Sequence, residues 1–193
     1  MPKPDPQPAP DGRPCGGKGK ALFLDRDGTL IRDKGFLSDP AGVELIPGAA
    51  SALQHAARLG YLIFLVTNQS GVGRGYFSLD DVAAVSGRML DLMGLPPTVF
   101  AGTCVAVETP DQPSLYRKPS PRFVLEMIAK HSLDPHRCYM VGDKASDVLT
   151  AVRAGIRPVF VASGRPELEA ARRAAGDDLA VFPSIREFAA TLA

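Results

Sequence analysis

Short apolar runs, each stopping abruptly at a polar turn, recur along this chain with helix-patterned stretches between them, and that alternation restricts the fold more than any other feature. Ala21-Leu22-Phe23-Leu24 stops at Asp25, Tyr61-Leu62-Ile63-Phe64-Leu65-Val66 stops at Thr67, and Cys138-Tyr139-Met140-Val141 stops at Gly142-Asp143. Runs that are apolar throughout suit strands covered on both faces, the situation of a parallel sheet held between helices.

Strands are predicted at 21–25, 61–66, 98–106, 138–142, 158–162 and 179–182. Helices are predicted over Gly48–Leu59, Ser78–Met93, Pro121–His131 and Asp147–Ala154, with Gly60 and Gly155 as terminators and Ser78 as a cap. The expected fold is α/β, a Rossmann-like three-layer sandwich with a central, mostly parallel sheet and right-handed crossovers. No insertion is long enough for a large cap domain, so the site should be open and covered by loops. One domain is expected over 20–193, and residues 1–19, crowded with Pro and Gly and lacking the apolar segment of a secretory signal, are expected to form a flexible tail.

Asp25-Arg26-Asp27-Gly28-Thr29, directly after the first run, places two carboxylates where a strand ends. In extended backbone, residues i and i+2 point the same way, so Asp25 and Asp27 are expected to face one site and Arg26 the other side, while Gly28 permits a tight turn. Carboxylates at that spacing suit phosphoryl transfer. Asp25 would attack phosphorus and form an aspartyl-phosphate, and Asp27 would protonate the leaving alcohol and later take a proton from water. Thr29 can hold the phosphate or the loop. Asp-x-Asp-Gly also occurs in turns and calcium loops, so the pentapeptide alone leaves both readings open.

Further segments supply the remaining parts. Thr67-Asn68-Gln69-Ser70-Gly71 offers hydroxyl, amide and backbone donors for phosphate oxygens. Arg117-Lys118-Pro119 puts two cations before a helix, where Lys118 can offset charge building on nucleophile and phosphate; a solvated basic turn is the other reading. Asp143 is a candidate ligand for a hard cation. Magnesium takes a few carboxylates, several waters and substrate phosphate, which Asp25, Asp143 and the Asp27 carbonyl would satisfy. Asp147, one helical turn later, either orients Lys144 or a metal-bound water, or is a first-turn acid favoured by the helix dipole. These motifs all fall at carboxyl ends of predicted strands, where open α/β sheets bind ligands.

Composition narrows the class. With 193 residues the chain can bury a sizeable core, and a net charge of +1 gives no general attraction for nucleic acid or anionic membrane. No run approaches the roughly 18 apolar residues of a membrane span. Cys15, Cys104 and Cys138 are odd in number and widely spaced, which points to reduced thiols and a cytoplasmic location. His55, His131 and His136 lack metal-site spacing.

Taken together, Asp25-x-Asp27-Gly28-Thr29, Thr67-Asn68, Lys118-Pro119 and Gly142-Asp143 resemble the haloacid dehalogenase superfamily in order and strand context. Within it, Leu24 to Thr29, Asp33-Lys34-Gly35-Phe36, Thr67 to Gly71, Arg74-Gly75 and Val141-Gly142-Asp143-Lys144 look like the D-glycero-D-manno-heptose 1,7-bisphosphate phosphatase branch, over roughly residues 20 to 165. Histidinol-phosphate phosphatases share the first motif but typically carry Asp where Ser70 stands and Arg where Lys144 stands. The resemblance implies Asp25 as nucleophile, Asp27 as acid and base, Thr67 and Lys118 as further catalytic residues, and Asp25, Asp27 and Asp143 as a magnesium site. It implies substrate contacts from Asp33, Lys34, Gly35 and Phe36, from Thr67, Asn68, Gln69 and Ser70, and from Arg117, Lys118 and Lys144. On residue type alone, Asp33-Lys34-Gly35 is also an ordinary turn.

The expected activity is therefore a magnesium-dependent phosphomonoesterase, acting as a monomer on a small phosphorylated metabolite such as a sugar bisphosphate. Histidinol phosphate or another phosphosugar is the first alternative, and a non-catalytic phosphate-ligand binding protein the second. One departure stands out. Such phosphatases usually carry Cys and His zinc ligands just before Arg-Lys-Pro, whereas Thr103 to Tyr116 here contains Cys104 and no His. Structural zinc needs four closing ligands, so no zinc is expected.

Overall fold

A computed structural model describes residues 19–164, 167–176 and 179–193. The tail expected over 1–19 and Cys15 lie outside this range, apart from Gly19, which opens the first strand. The apolar runs become β1 (Gly19–Leu24), β2 (Tyr61–Asn68), β3 (Gly102–Ala106), β4 (Leu133–Gly142), β5 (Arg157–Val161) and β6 (Ala180–Phe182). They form one sheet in the order β3-β2-β1-β4-β5-β6, with every neighbouring pair parallel. The helices are α1 (Ala49–Arg58), α2 (Ser70–Gly73), α3 (Leu79–Met93), α4 (Arg122–Lys130), α5 (Ala145–Ala154), α6 (Leu168–Ala175) and α7 (Ile185–Ala189).

Alternation along the strands splits the core in two. Leu22, Leu24, Ile63 and Leu65 pack with Leu53 of α1, Met89 of α3 and Phe188 of α7. Ala21, Phe23, Phe64 and Val66 face the opposite layer, with Val124 of α4 and Ala151 of α5. Covering both faces is what demands uninterrupted apolar strands. Each large side chain so buried contributes about 1.5–3 kcal/mol. Phe23 and Phe64 stack across the β1-β2 ladder with centroids 4.9 Å apart.

Boundaries differ from expectation where proline intervenes. The strand predicted from 98 starts at Gly102, because Pro97–Val99 winds into a 3-10 turn opened by proline's preset φ. β4 starts at Leu133 instead of 138, but its register on β1 shifts between Gly19–Leu133 and Ala21–Cys138, so the regular ladder does begin at Cys138. Ser78 caps α3 as expected, in a reciprocal box with Asp81. α2, α6 and α7 lie outside the four predicted helices, α2 falling in the stretch expected to be a polar turn. For α7 the signal was Ser184, which accepts from the Arg186 N–H and bonds Glu187 three residues on.

The sheet order reverses at β1 and β4, and a doubly wound sheet opens a crevice at the carboxyl ends of such strands. Leu24 and Val141 are register partners there, and the Asp25 N–H donates to the Val141 carbonyl at 3.0 Å. The residues that follow both strands are therefore forced together.

Candidate active site

Asp25, Asp143 and Asp147 converge at that crevice, all buried, with one carboxylate oxygen from each lying within 4.8 Å of the others. Glycines make the room. Gly28 (φ +85°) and Gly164 pass so close to the Asp143 carboxylate that a Cβ on either would collide with it, and a Cβ on Gly142 would collide with Asp147. An oxygen-only, carboxylate-rich donor set fits a hard divalent cation. The expected side-chain members Asp25 and Asp143 are both in this cluster and Asp147 joins them, while the Asp27 carboxylate is turned to Arg26 and Gln69.

The Lys118 ammonium enters this cluster, 2.8 Å from Asp25 Oδ1 and 2.6 Å from Asp147 Oδ1. Burial alone would lower its pKa, but Asp147 and Asp25 outweigh that and hold it above the ordinary value. Asp147 is pushed up to about 6 by burial, against the pull of Lys118. Its Oδ2 also accepts the Lys144 N–H at 3.1 Å, so this first-turn acid caps α5 and holds Lys118 at once. Asp25 Oδ1 takes the Arg26 N–H, also at 2.8 Å, and no hydrogen bond or ion pair among the described residues reaches Oδ2.

Arg26 departs from the strand geometry expected of it. β1 ends at Leu24, and the chain then turns tightly enough for the Leu30 and Ile31 N–H groups both to bond the Arg26 carbonyl. The guanidinium folds back onto its neighbour, with Nε 3.1 Å from Asp27 Oδ2 and Nη2 3.3 Å from Oδ1, and Nη1 reaches Ser86 of α3. Gln69 donates to the same Asp27 Oδ2 at 2.9 Å and to Thr67 Oγ1 at 2.8 Å. Burial raises the Asp27 carboxyl, Arg26 opposes the shift, and Asp25 adds to it; the carboxyl stays above its usual range.

Above this floor opens a cavity of about 490 Å³. Of the residues expected at the substrate, Asp33, Gly35, Phe36, Asn68, Gln69, Ser70, Arg117, Lys118 and Lys144 line it. Thr67 lies buried beneath. Lys34 does not line it; its ammonium pairs with Glu44, 2.5 Å away. Lys144 reaches Asp33 Oδ2 at 3.2 Å. Burial would lower the Lys144 pKa, but Asp25, Asp143, Asp33 and Asp147 together raise it. The Asn68 side chain is committed to main chain: Oδ1 accepts the Lys118 N–H at 2.9 Å, and Nδ2 donates to the Lys118 carbonyl at 3.1 Å. Ser146 and Glu167 also line the cavity, and Glu167 accepts the Ala145 N–H at the start of α5. Nothing in residue spacing marked either. Cys104 packs in the core, where burial pushes its thiol up to about 11, a poor setting for a thiolate ligand.

A HAD-hydrolase-like family model matches residues 115–188, the stretch holding Lys118, Asp143 and Asp147. The D-glycero-β-D-manno-heptose-1,7-bisphosphate 7-phosphatase of Pasteurella multocida is 38% identical over 167 residues, 81% of this chain and 89% of its own. The chain belongs to the heptose-bisphosphate phosphatase family of haloacid dehalogenase-like hydrolases. Within this phosphatase family it is also similar to the D-glycero-α-D-manno-heptose-1,7-bisphosphate 7-phosphatase of Burkholderia mallei, at 34% identity over 72% of this chain and 77% of that one. The crystal structure of the D,D-heptose 1,7-bisphosphate phosphatase from B. bronchiseptica, complexed with magnesium and phosphate, matches with a TM-score of 0.75 at 26% identity, covering 89% of this chain and 96% of that chain.

Proposed function

We propose that this phosphatase removes the 7-phosphate of D-glycero-D-manno-heptose 1,7-bisphosphate with magnesium, by way of an aspartyl-phosphate on Asp25. The observation that carries the reading is the pose of Asp25. Its Oδ1 is fixed by the Arg26 N–H and the Lys118 ammonium, and Oδ2 takes no hydrogen bond or ion pair from the described residues, as an in-line nucleophile needs.

The remaining residues divide the work by position. Asp27, whose carboxyl burial holds above its usual range against the pull of Arg26, would give a proton to the leaving alcohol and then accept one from the attacking water. Arg26 and Gln69 hold that carboxyl in place. Lys118 offsets charge on Asp25 and the transferring phosphoryl group, while Arg117 and Lys144 at the cavity wall suit the substrate's phosphate oxygens. Asp25, Asp143 and Asp147, with the Asp27 carbonyl, would hold magnesium, which when bound supplies positive charge beside the phosphate.

The test is magnesium-dependent phosphate release from both heptose 1,7-bisphosphate anomers, histidinol phosphate and fructose 1,6-bisphosphate, beside Asp25→Asn. A heptose preference of about a hundredfold, near 2.7 kcal/mol of transition-state discrimination, together with loss of release in Asp25→Asn, supports the proposal. Preference for histidinol phosphate or a flat profile overturns the substrate. No release from any ester leaves a phosphate-binding protein.

A further inference from the structure

Glu108 does not line the cavity, yet it organises the backbone that carries two of the cavity's cations. Its Oε1 accepts the N–H groups of Leu115 at 3.1 Å, Tyr116 at 2.7 Å and Arg117 at 3.4 Å. Its main-chain carbonyl accepts Arg117 Nη1 at 3.3 Å, so one residue grips Arg117 at both ends. Three successive N–H groups reach one oxygen only where the backbone curls around it. The curvature of 115–117 is therefore set by this carboxylate. Burial acts to raise the Glu108 carboxyl, but the N–H groups it accepts prevail and hold it below the usual range. It is ionised at neutral pH, and its bonds are of the stronger, charge-assisted kind.

The loop is closed by two hydroxyls as well: Ser114 Oγ donates to the Arg117 carbonyl at 2.6 Å and Ser120 Oγ to the Leu115 carbonyl at 2.8 Å. The next residue, Lys118, has its N–H and carbonyl both clamped by Asn68. The main chain thus enters the site between an anionic clamp and an amide clamp, and the Lys118 ammonium is delivered onto Asp25 and Asp147. Residues 103–116 hold one Cys and no His, so the four Cys or His ligands that close a structural zinc site are not on this stretch. A carboxylate ties the two ends of the loop instead.

We propose that Glu108 is a positioning residue, an anionic staple that closes this loop and presents Arg117 and Lys118 to phosphate. This rests on the phosphatase reading of those two cations, and the experiment separates the two. In the full chain, Glu108→Ala and Glu108→Gln are compared with the unaltered protein by amide hydrogen exchange at 115–117 and by calorimetric binding of inorganic phosphate with magnesium. Exchange needs no substrate, so a wrong sugar leaves that arm standing.

For Glu108→Ala, exchange at 115–117 is expected to rise and phosphate binding to weaken, each by about tenfold, with Glu108→Gln keeping binding within about threefold because it retains an acceptor oxygen. With heptose bisphosphate, the loss in Glu108→Ala should lie mainly in KM, with rescue by Gln. Unchanged phosphate binding in Glu108→Ala overturns the proposal, as does a Gln variant that binds no better than Ala. Should Glu108→Ala not fold, Glu108→Gln decides alone: faster exchange at 115–117 with near-normal binding supports the staple, and unaltered exchange overturns it.

Discussion

The ammonium of Lys118 lies 2.6 Å from Oδ1 of Asp147, with 2% and 0% of the two side chains exposed. A cation so enclosed depends on its anions, and Asp147 is the partner that the proposed chemistry does not consume. Asp147→Asn keeps the shape and the cap on α5 but withdraws a charge from Lys118. Stability is expected to fall by roughly 1–3 kcal/mol, and phosphate release by about tenfold or more. Urea unfolding and steady-state kinetics check both, and unaltered turnover would show Lys118 needs Asp25 alone.

Arg26 is among the largest fully buried side chains and spends its guanidinium on the adjacent Asp27 and on Ser86. Arg26→Met leaves a buried carboxylate without its main counter-charge, at a cost of about 3–5 kcal/mol. Adding Asp27→Asn removes the stranded charge, so the double variant should be more stable than Arg26→Met although inactive. Equal stability of the two in urea would show the pair is not coupled.

Much of the site was legible because its residues follow strands, and a parallel sheet brings the ends of adjacent strands together whatever lies between them. Asp25 and Asp143 meet for that reason, through the Leu24–Val141 register. What was not legible depends on the path of the chain after a strand stops. The period-two rule sent Arg26 away from Asp27, but β1 ends at Leu24, and beyond it the turn decides direction. Lys34 and Asp33 are adjacent in sequence, yet only Asp33 lines the cavity, because Glu44 draws Lys34 to the surface. The role of Asp147 stayed open because residue type cannot tell a helix cap from a counter-ion, and here it is both.

Asp27 sets an expected pH dependence. As the proton donor of the first step it must start protonated, so kcat/KM should fall on the alkaline side as it ionises. Burial shifts that limb above the usual carboxylate range, and Arg26 pulls it back. Gln69 donates to Asp27 Oδ2 and so favours the ionised form. In Gln69→Leu the ionised form loses that support, and the alkaline limb should move to higher pH. A pH–rate profile with an unshifted limb, or one shifted downward, would assign the titration to another group.

Gly164 tests the cation site without touching a carboxylate. A Cβ there would collide with the Asp143 side chain, so Gly164→Ala displaces it from Asp25 and Asp147. The magnesium concentration for half-maximal activity is expected to rise by about tenfold, the equivalent of 1.4 kcal/mol, with most of the rate recovered at saturating magnesium. If magnesium dependence is unchanged while the rate is lost, Asp143 serves some end other than cation binding.

Phe36 and Tyr76 meet edge to face with centroids 5.0 Å apart, yet each is more than half exposed. Phe36 forms part of the cavity wall, and a Cβ on Gly71 would collide with Phe77 behind it, so the aromatic group is seated on a bare stretch of backbone. Exposed rings beside a phosphate pocket offer an apolar face to the carbon skeleton of a sugar, which the cations cannot recognise. Phe36→Ala should therefore raise KM for heptose bisphosphate by about fivefold to tenfold, in line with the ~1 kcal/mol worth of a ring contact, with kcat little changed. Acetyl phosphate, which has no sugar to stack, should be hydrolysed as before. That split assigns the ring to uniform binding of the sugar, whereas equal losses on both substrates would make Phe36 a support for the loop that carries Asp33.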